Sequence, residues 1–113
     1  MDDINVYQQY FAADAEFGGV PRKGVSVMLT AASAGGEISY TLRLCFFPHR
    51  DAEDFAVSYD AEFSRELYRA RGRRSRKREQ AFLNDLRENA DALAKEHGGT
   101  VDWAHPLTEP RLA

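Results

Sequence analysis

Two alternating runs joined by a glycine pair constrain this chain most. Val25, Val27, Leu29 and Ala31 alternate with Ser26, Met28 and Thr30, and Ile38, Tyr40, Leu42, Leu44 and Phe46 alternate with Ser39, Thr41, Arg43 and Cys45. A period of two with β-branched and aromatic residues predicts strands that bury one face. Ala32–Gly36 lies between them, and Gly35-Gly36 supplies the positive φ that a hairpin turn needs. Pro48 closes the second strand, having no N–H for the ladder. The opposite face, with Ser26, Thr30, Ser39, Thr41, Arg43, Ser58, Asp60 and Glu62, reads as solvated.

The flanking segments are read the same way. Asp2–Ala15 is expected as a short helix, with Ile4, Tyr7 and Phe11 at i, i+3 and i+7, although Ile4, Val6, Gln8 and Tyr10 also alternate. Gly18–Gly24 is turn-rich. Phe55, Val57, Tyr59, Ala61 and Phe63 alternate, which favours a third antiparallel strand with His49–Asp54 as the connection. The competing reading is a helix from Asp51 with Phe55, Tyr59, Phe63 and Leu67 in one row. A long amphipathic helix then starts at Ser75, an N-cap type, with Phe82, Leu86, Ala90, Leu93 and His97 on one stripe. Gly98-Gly99 ends it as a left-handed C-cap. Thr100–Ala104 is a short extended segment, and residues 106–113 are a tail.

The expected fold is therefore α+β, one domain over residues 1–113. It has an antiparallel sheet of three to four strands with one long C-terminal amphipathic helix packed on one face, since the two apolar faces cover each other. No apolar run approaches the ~20 residues that span a bilayer, so no membrane partner is expected. The single Cys45 forms no internal disulfide, which fits the cytoplasm. At 113 residues the core is modest, and a homodimer would add to it.

Catalytic patterns do not assemble. G-x-x-x-x-G-K-[ST] and G-x-G-x-x-G are missing, and His49, His97 and His105 lack metal-ligand spacing. Neither a cofactor nor a metal site is expected, and the chain reads as a non-enzyme. Charge is more informative. Arg69, Arg71, Arg73, Arg74, Arg76, Lys77 and Arg78 place seven of 15 basic residues within ten positions, leaving eight basic against 18 acidic elsewhere. This basic segment opposes the dipole of the helix it precedes, so body carboxylates or an external anion must compensate it. Arginine suits bidentate contacts to phosphate or carboxylate. On the third strand Asp60, Glu62 and Glu66 would share a face and form an acidic strip fit for a basic partner or for discouraging edge pairing.

Leu93-Ala94-Lys95-Glu96-His97-Gly98-Gly99-Thr100-Val101-Asp102-Trp103 resembles the end of small bacterial regulators that inhibit ribonuclease E. In those a helix, a Gly-Gly pair and a short Asp/Trp strand close an α+β domain. The family's Gly between Asp and Trp is missing here. The resemblance implies a ribonuclease-inhibitor-like regulator as one alternative. The residues themselves favour a small binding or regulatory protein that occupies a protein partner, of inhibitor, immunity or antitoxin type. The other alternative is a nucleic-acid-associated protein using Arg69–Arg78.

Overall fold

The computed structural model describes residues 2–48 and 61–113. Its architecture corrects the expected fold class. Among the described residues six antiparallel strands form one sheet, and two short helices replace the single long one. The strands are β1 (Asp2–Phe17), β2 (Val20–Ala34), β3 (Glu37–Phe47), β4 (Ala61–Arg71), β5 (Thr100–Pro106) and β6 (Arg111–Leu112). The order across the sheet is β4-β3-β2-β1-β5, with β6 also paired to β1.

The N-terminal segment is the longest strand, not a helix. Its apparent helical spacing has a simple origin. Ile4, Tyr7 and Phe11 lie opposite Ala31, Leu29 and Val25, all core-facing, but the step from Asn5 to Tyr7 crosses a bulge at Val6. An inserted residue turns a strand interval of two into three, so one face carries i, i+3 and i+7 without helical geometry. Gly18 and Gly19, with φ of +58° and +76°, form the two-residue turn into β2. The second hairpin is tighter than expected: β2 runs on to Ala34, which pairs directly with Glu37.

The predicted inner faces are buried. Val25, Val27, Leu29, Ala31, Ile38, Tyr40, Leu42, Leu44 and Phe46 join one core cluster with helix residues Leu86, Ala90, Leu93 and Ala94. The opposite face differs from expectation, because Ser26, Thr30, Ser39, Cys45 and Phe47 are also buried. Ser26 stands in register between Tyr10 and Cys45, and Tyr10 meets the Phe47 ring at 5.9 Å. Small polar side chains beside large rings lose their contact with water. Thr30 keeps a partner by donating to Asn5 Oδ1 at 3.3 Å.

The helical stripe is split. α1 (Arg76–Asn84) and α2 (Leu86–Glu96) meet at Asp85, whose φ of −98° and ψ of 6° leave the helical region. Asn84-Asp85 is a weak point, since both side chains compete for local polar groups. Asn84 Oδ1 accepts from Gln80 Nε2 at 2.9 Å. α2 buries Leu86, Ala90, Leu93 and Ala94, whereas Glu79 alone is buried on α1. Phe82 is half-buried with its ring 5.2 Å from Tyr40, and His97, expected on the stripe, is exposed but stacks on Phe63 at 3.8 Å.

α2 ends as the glycine pair implies. Gly98 has φ of +80° and donates to Lys95 O, and Gly99 donates to Ala94 O at 2.8 Å, the paired bonds of a Schellman motif. Gly99 is also a close-approach site, because a Cβ there would sit 3.0 Å from Phe46 and 3.2 Å from Ala15. The chain then returns along β1. Beyond Pro106 the expected tail bonds to that strand through Leu107 N–H to Tyr10 O at 2.7 Å, and Leu112 pairs with Tyr7. No described helix is long and apolar enough to cross a membrane.

Candidate functional site

β4 settles part of the ambiguous segment. Ala61–Phe63 is strand, while Phe55–Asp60 lies outside the described residues. The strand continues through Arg69 to Arg71, so the basic segment begins in the sheet and ends in the first turn of α1. Three contacts fix its course. Gly72, with φ of +134°, donates to Gly36 O at 3.0 Å in the β2–β3 turn. Ser75 donates its backbone N–H to the Tyr40 hydroxyl at 3.2 Å, and its Oγ caps α1 by accepting from Arg78 N–H at 3.2 Å.

The third contact is an ion pair. Arg74 Nε and Nη2 donate to Glu79 Oε2 and Oε1 at 2.9 and 2.8 Å, and Tyr40 donates its hydroxyl to Glu79 Oε2 at 2.7 Å. Glu79 is therefore the internal counter-ion of the segment. The Arg74 guanidinium, and secondarily the Tyr40 hydroxyl bond, hold its carboxyl below the usual range against the opposing effect of burial. Burial raises the Tyr40 hydroxyl above its ordinary value.

The seven basic residues thus divide. Arg74 belongs to the network. Arg69 is paired with Glu66 at 2.9 Å and with Glu37 at 3.6 Å. Arg78 lies 4.2 Å from the Tyr68 ring centroid, a cation–π contact. Arg71, Arg73, Arg76 and Lys77 are exposed and have no ion-pair partner among the described residues. They form a cationic rim around Gly72 and the helix start.

Of the acidic strip, Asp60 lies outside the described residues. Glu62 and Glu66 are exposed on one face of β4, as their spacing implies, and each has an arginine partner: Glu62 with Arg43 at 3.1 Å and Glu66 with Arg69. The strip's two described carboxylates are thus neutralised within the sheet.

A groove beside the rim escaped sequence reasoning. A cleft of about 580 Å³ between α1 and the β1–β6 edge is lined by Arg74, Arg76, Glu79, Leu83, Val6 and Leu112. Through Leu83 and Leu112 it continues into a second cleft of about 300 Å³ beside Tyr7, Leu86, Arg87 and Trp103. Trp103 donates to Asp91 at 2.9 Å and carries the Arg87 guanidinium 5.4 Å from its ring centroid. The signal that could have pointed to the internal pair was Glu79, the one acid after an unbroken basic run. Nothing local marks the groove, whose lining comes from both ends of the chain and from α1.

His105 Nδ1 lies 2.6 Å from Asp102 Oδ2 on β5, both in water-facing positions. Among the described residues no three His, Cys, Asp or Glu side chains converge as metal ligands. Comparison of the chain with protein-family models, curated proteins and solved structures gives no match.

Proposed function

We propose that the chain is a small binding protein that acts by occupying a protein partner, using the Arg71, Arg73, Arg76 and Lys77 rim to engage an acidic surface. The observation that carries this reading is the fixed course of the rim. Gly72, Arg74 and Ser75 are each tied to the body, so the cations between and beside them are presented on a built edge. Ordering a loop on binding costs free energy, and a segment already ordered avoids that loss.

Two features favour a protein over a nucleic acid. Outside residues 69–78 the chain carries 18 acidic against eight basic residues, which repels a polyanion at long range. Arg76 also lines the groove with Val6, Leu83 and Leu112, an apolar surface that a phosphate backbone does not use but a protein partner does. In the nucleic-acid alternative, neutralising four phosphates would give a slope of about −3.6 in log K against log salt.

The test replaces Arg71, Arg73, Arg76 and Lys77 together with Gln and leaves Arg74 in place. Immobilised wild-type protein should capture a partner from nuclease-treated lysate, and the folded quadruple variant should lose it. Recovery of the same proteins by the variant refutes the reading. Loss of capture on nuclease treatment alone establishes the nucleic-acid alternative.

A further inference from the structure

β4 stands at the sheet margin, and no strand pairs with its outer side among the described residues. An open edge invites pairing unless its charges forbid it, so the direction of its peptide groups and the order of its charges decide what fits. Ala34 and Glu37 flank a two-residue turn and are a hydrogen-bonded pair. Alternation along β3 then turns the peptide groups of Ile38, Tyr40, Leu42, Leu44 and Phe46 toward β4. Gly36 O continues the series by accepting from Gly72. Their partners Ala70, Tyr68, Arg65, Phe63 and Ala61 point inward. Leu67 is the extra residue between Glu66, opposite Thr41, and Tyr68, opposite Tyr40. Glu62, Ser64, Glu66, Arg69 and Arg71 consequently present N–H and C=O outward, and their side chains are exposed.

Along that edge the charges run from acid to base, Glu62 and Glu66 first, Arg69 and Arg71 after. We propose that β4 pairs with β4 of a second copy of this chain, antiparallel about a two-fold axis between Leu67 and Tyr68. In this register Glu66 faces Arg69 of the partner subunit and Ser64 faces Arg71 of the partner subunit. Outward-pointing residues meet outward-pointing residues along the whole contact, each such pair exchanging two hydrogen bonds. The two extra residues fall opposite one another's neighbours at the centre, so neither bulge breaks the ladder. The Glu66–Arg69 bond within each chain becomes part of a four-charge cluster across the axis.

Other pairings fail on one of the two criteria. A parallel copy in register sets Glu against Glu and Arg against Arg. Sliding the antiparallel copy by two residues brings Ser64 opposite Arg69 but sets Glu66 against the inward-pointing Leu67. The charges therefore select one partner geometry and exclude the rest, which is how an edge gains specificity. The isologous two-fold arrangement is closed and does not propagate into a filament. It shares Arg71 with the cationic rim proposed above, whereas Arg73, Arg76 and Lys77 lie beyond the paired residues.

Sedimentation across micromolar to sub-millimolar concentrations reads the association directly. Wild-type protein should form a dimer and nothing larger. Glu66→Arg and Arg69→Glu should each weaken it at least tenfold, because each places like charges opposite one another twice. The double variant Glu66→Arg/Arg69→Glu should return to wild-type association. Ser64→Pro removes only an outward N–H and should abolish the dimer with the β3 ladder intact. A wild-type chain that stays monomeric throughout overturns the proposal. So does association unchanged in both single reversals, or a folded double variant that stays dissociated.

Discussion

Replacing Glu79 with Gln isolates the one buried charge that organises the basic segment. The Glu79 side chain is 8% exposed and its Arg74 partner 35% exposed, so the pair lies between a surface bridge and a fully buried one. Oε2 accepts from both Arg74 Nε and Tyr40, whereas Oε1 accepts from Arg74 Nη2. A glutamine keeps the double acceptor only by turning its amide NH₂ toward Nη2, leaving a donor against a donor. Hydrogen bonds to charged groups are worth about 1.5–3 kcal/mol. Arg74 can turn partly to water, so a loss near the lower half of that range, about 2 kcal/mol, is expected at pH 7.

The pH dependence gives a second reading of the same bond. The folded-state carboxyl is held below its ordinary value, so the unfolded chain takes up this proton first as pH falls. The stabilisation is complete above the unfolded value, about 4.3, and drains away as pH drops through the folded value. Urea unfolding followed by circular dichroism, at intervals from pH 7 to pH 2.5, should show the two proteins converging at the acid end. A gap that stays constant across that range would mean that the carboxylate charge contributes nothing and that Glu79 acts only by shape.

Three further substitutions test the frame around that bond. Ser75→Ala removes the Oγ that caps Arg78 N–H and should lower stability by about 1 kcal/mol in the same unfolding assay. Leu86→Ala empties a buried position under α2 and should cost about 2–5 kcal/mol; an unchanged urea midpoint would contradict its place in the core. Gly99→Ala presses a methyl onto Phe46 and Ala15 and should cost about 1–3 kcal/mol, seen as a lower melting temperature with the helical signal retained.

How much of this was legible in the sequence depends on the distance over which each feature is specified. The β2–β3 hairpin, the Ser75 cap and the Gly98 C-cap are encoded within a few residues and are legible there, although the hairpin turn is Gly35-Gly36 alone rather than Ala32–Gly36. β1 was misread because bulges at Val6 and between Ala12 and Ala15 disturb its period of two, and a disturbed strand imitates a helix. The helix break at Asp85 had a local sign in Asn84-Asp85, but the apolar stripe ran through it and masked it. The divided fate of the basic residues had no local sign at all. Whether Arg74 faces water or Glu79 depends on Tyr40, which arrives from the middle of the sheet. The buried second face likewise depends on Tyr10 and Phe47, which the register brings beside Ser26.

The position of β1 between β2 and β5 has a consequence for how the chain emerges during synthesis. Its first neighbour is available at once, because β2 follows through a two-residue turn. Its second consists of residues 100–112, which pair with Tyr7–Asp14 across most of the chain. Such remote closures are slow, since the intervening loop must be ordered before the contact stabilises anything. The apolar face of the β1–β3 meander also waits for α2, which is made after β4. A nascent chain therefore spends the latter half of its translation with a long open edge and an uncovered face, and that interval is where a chaperone would find it.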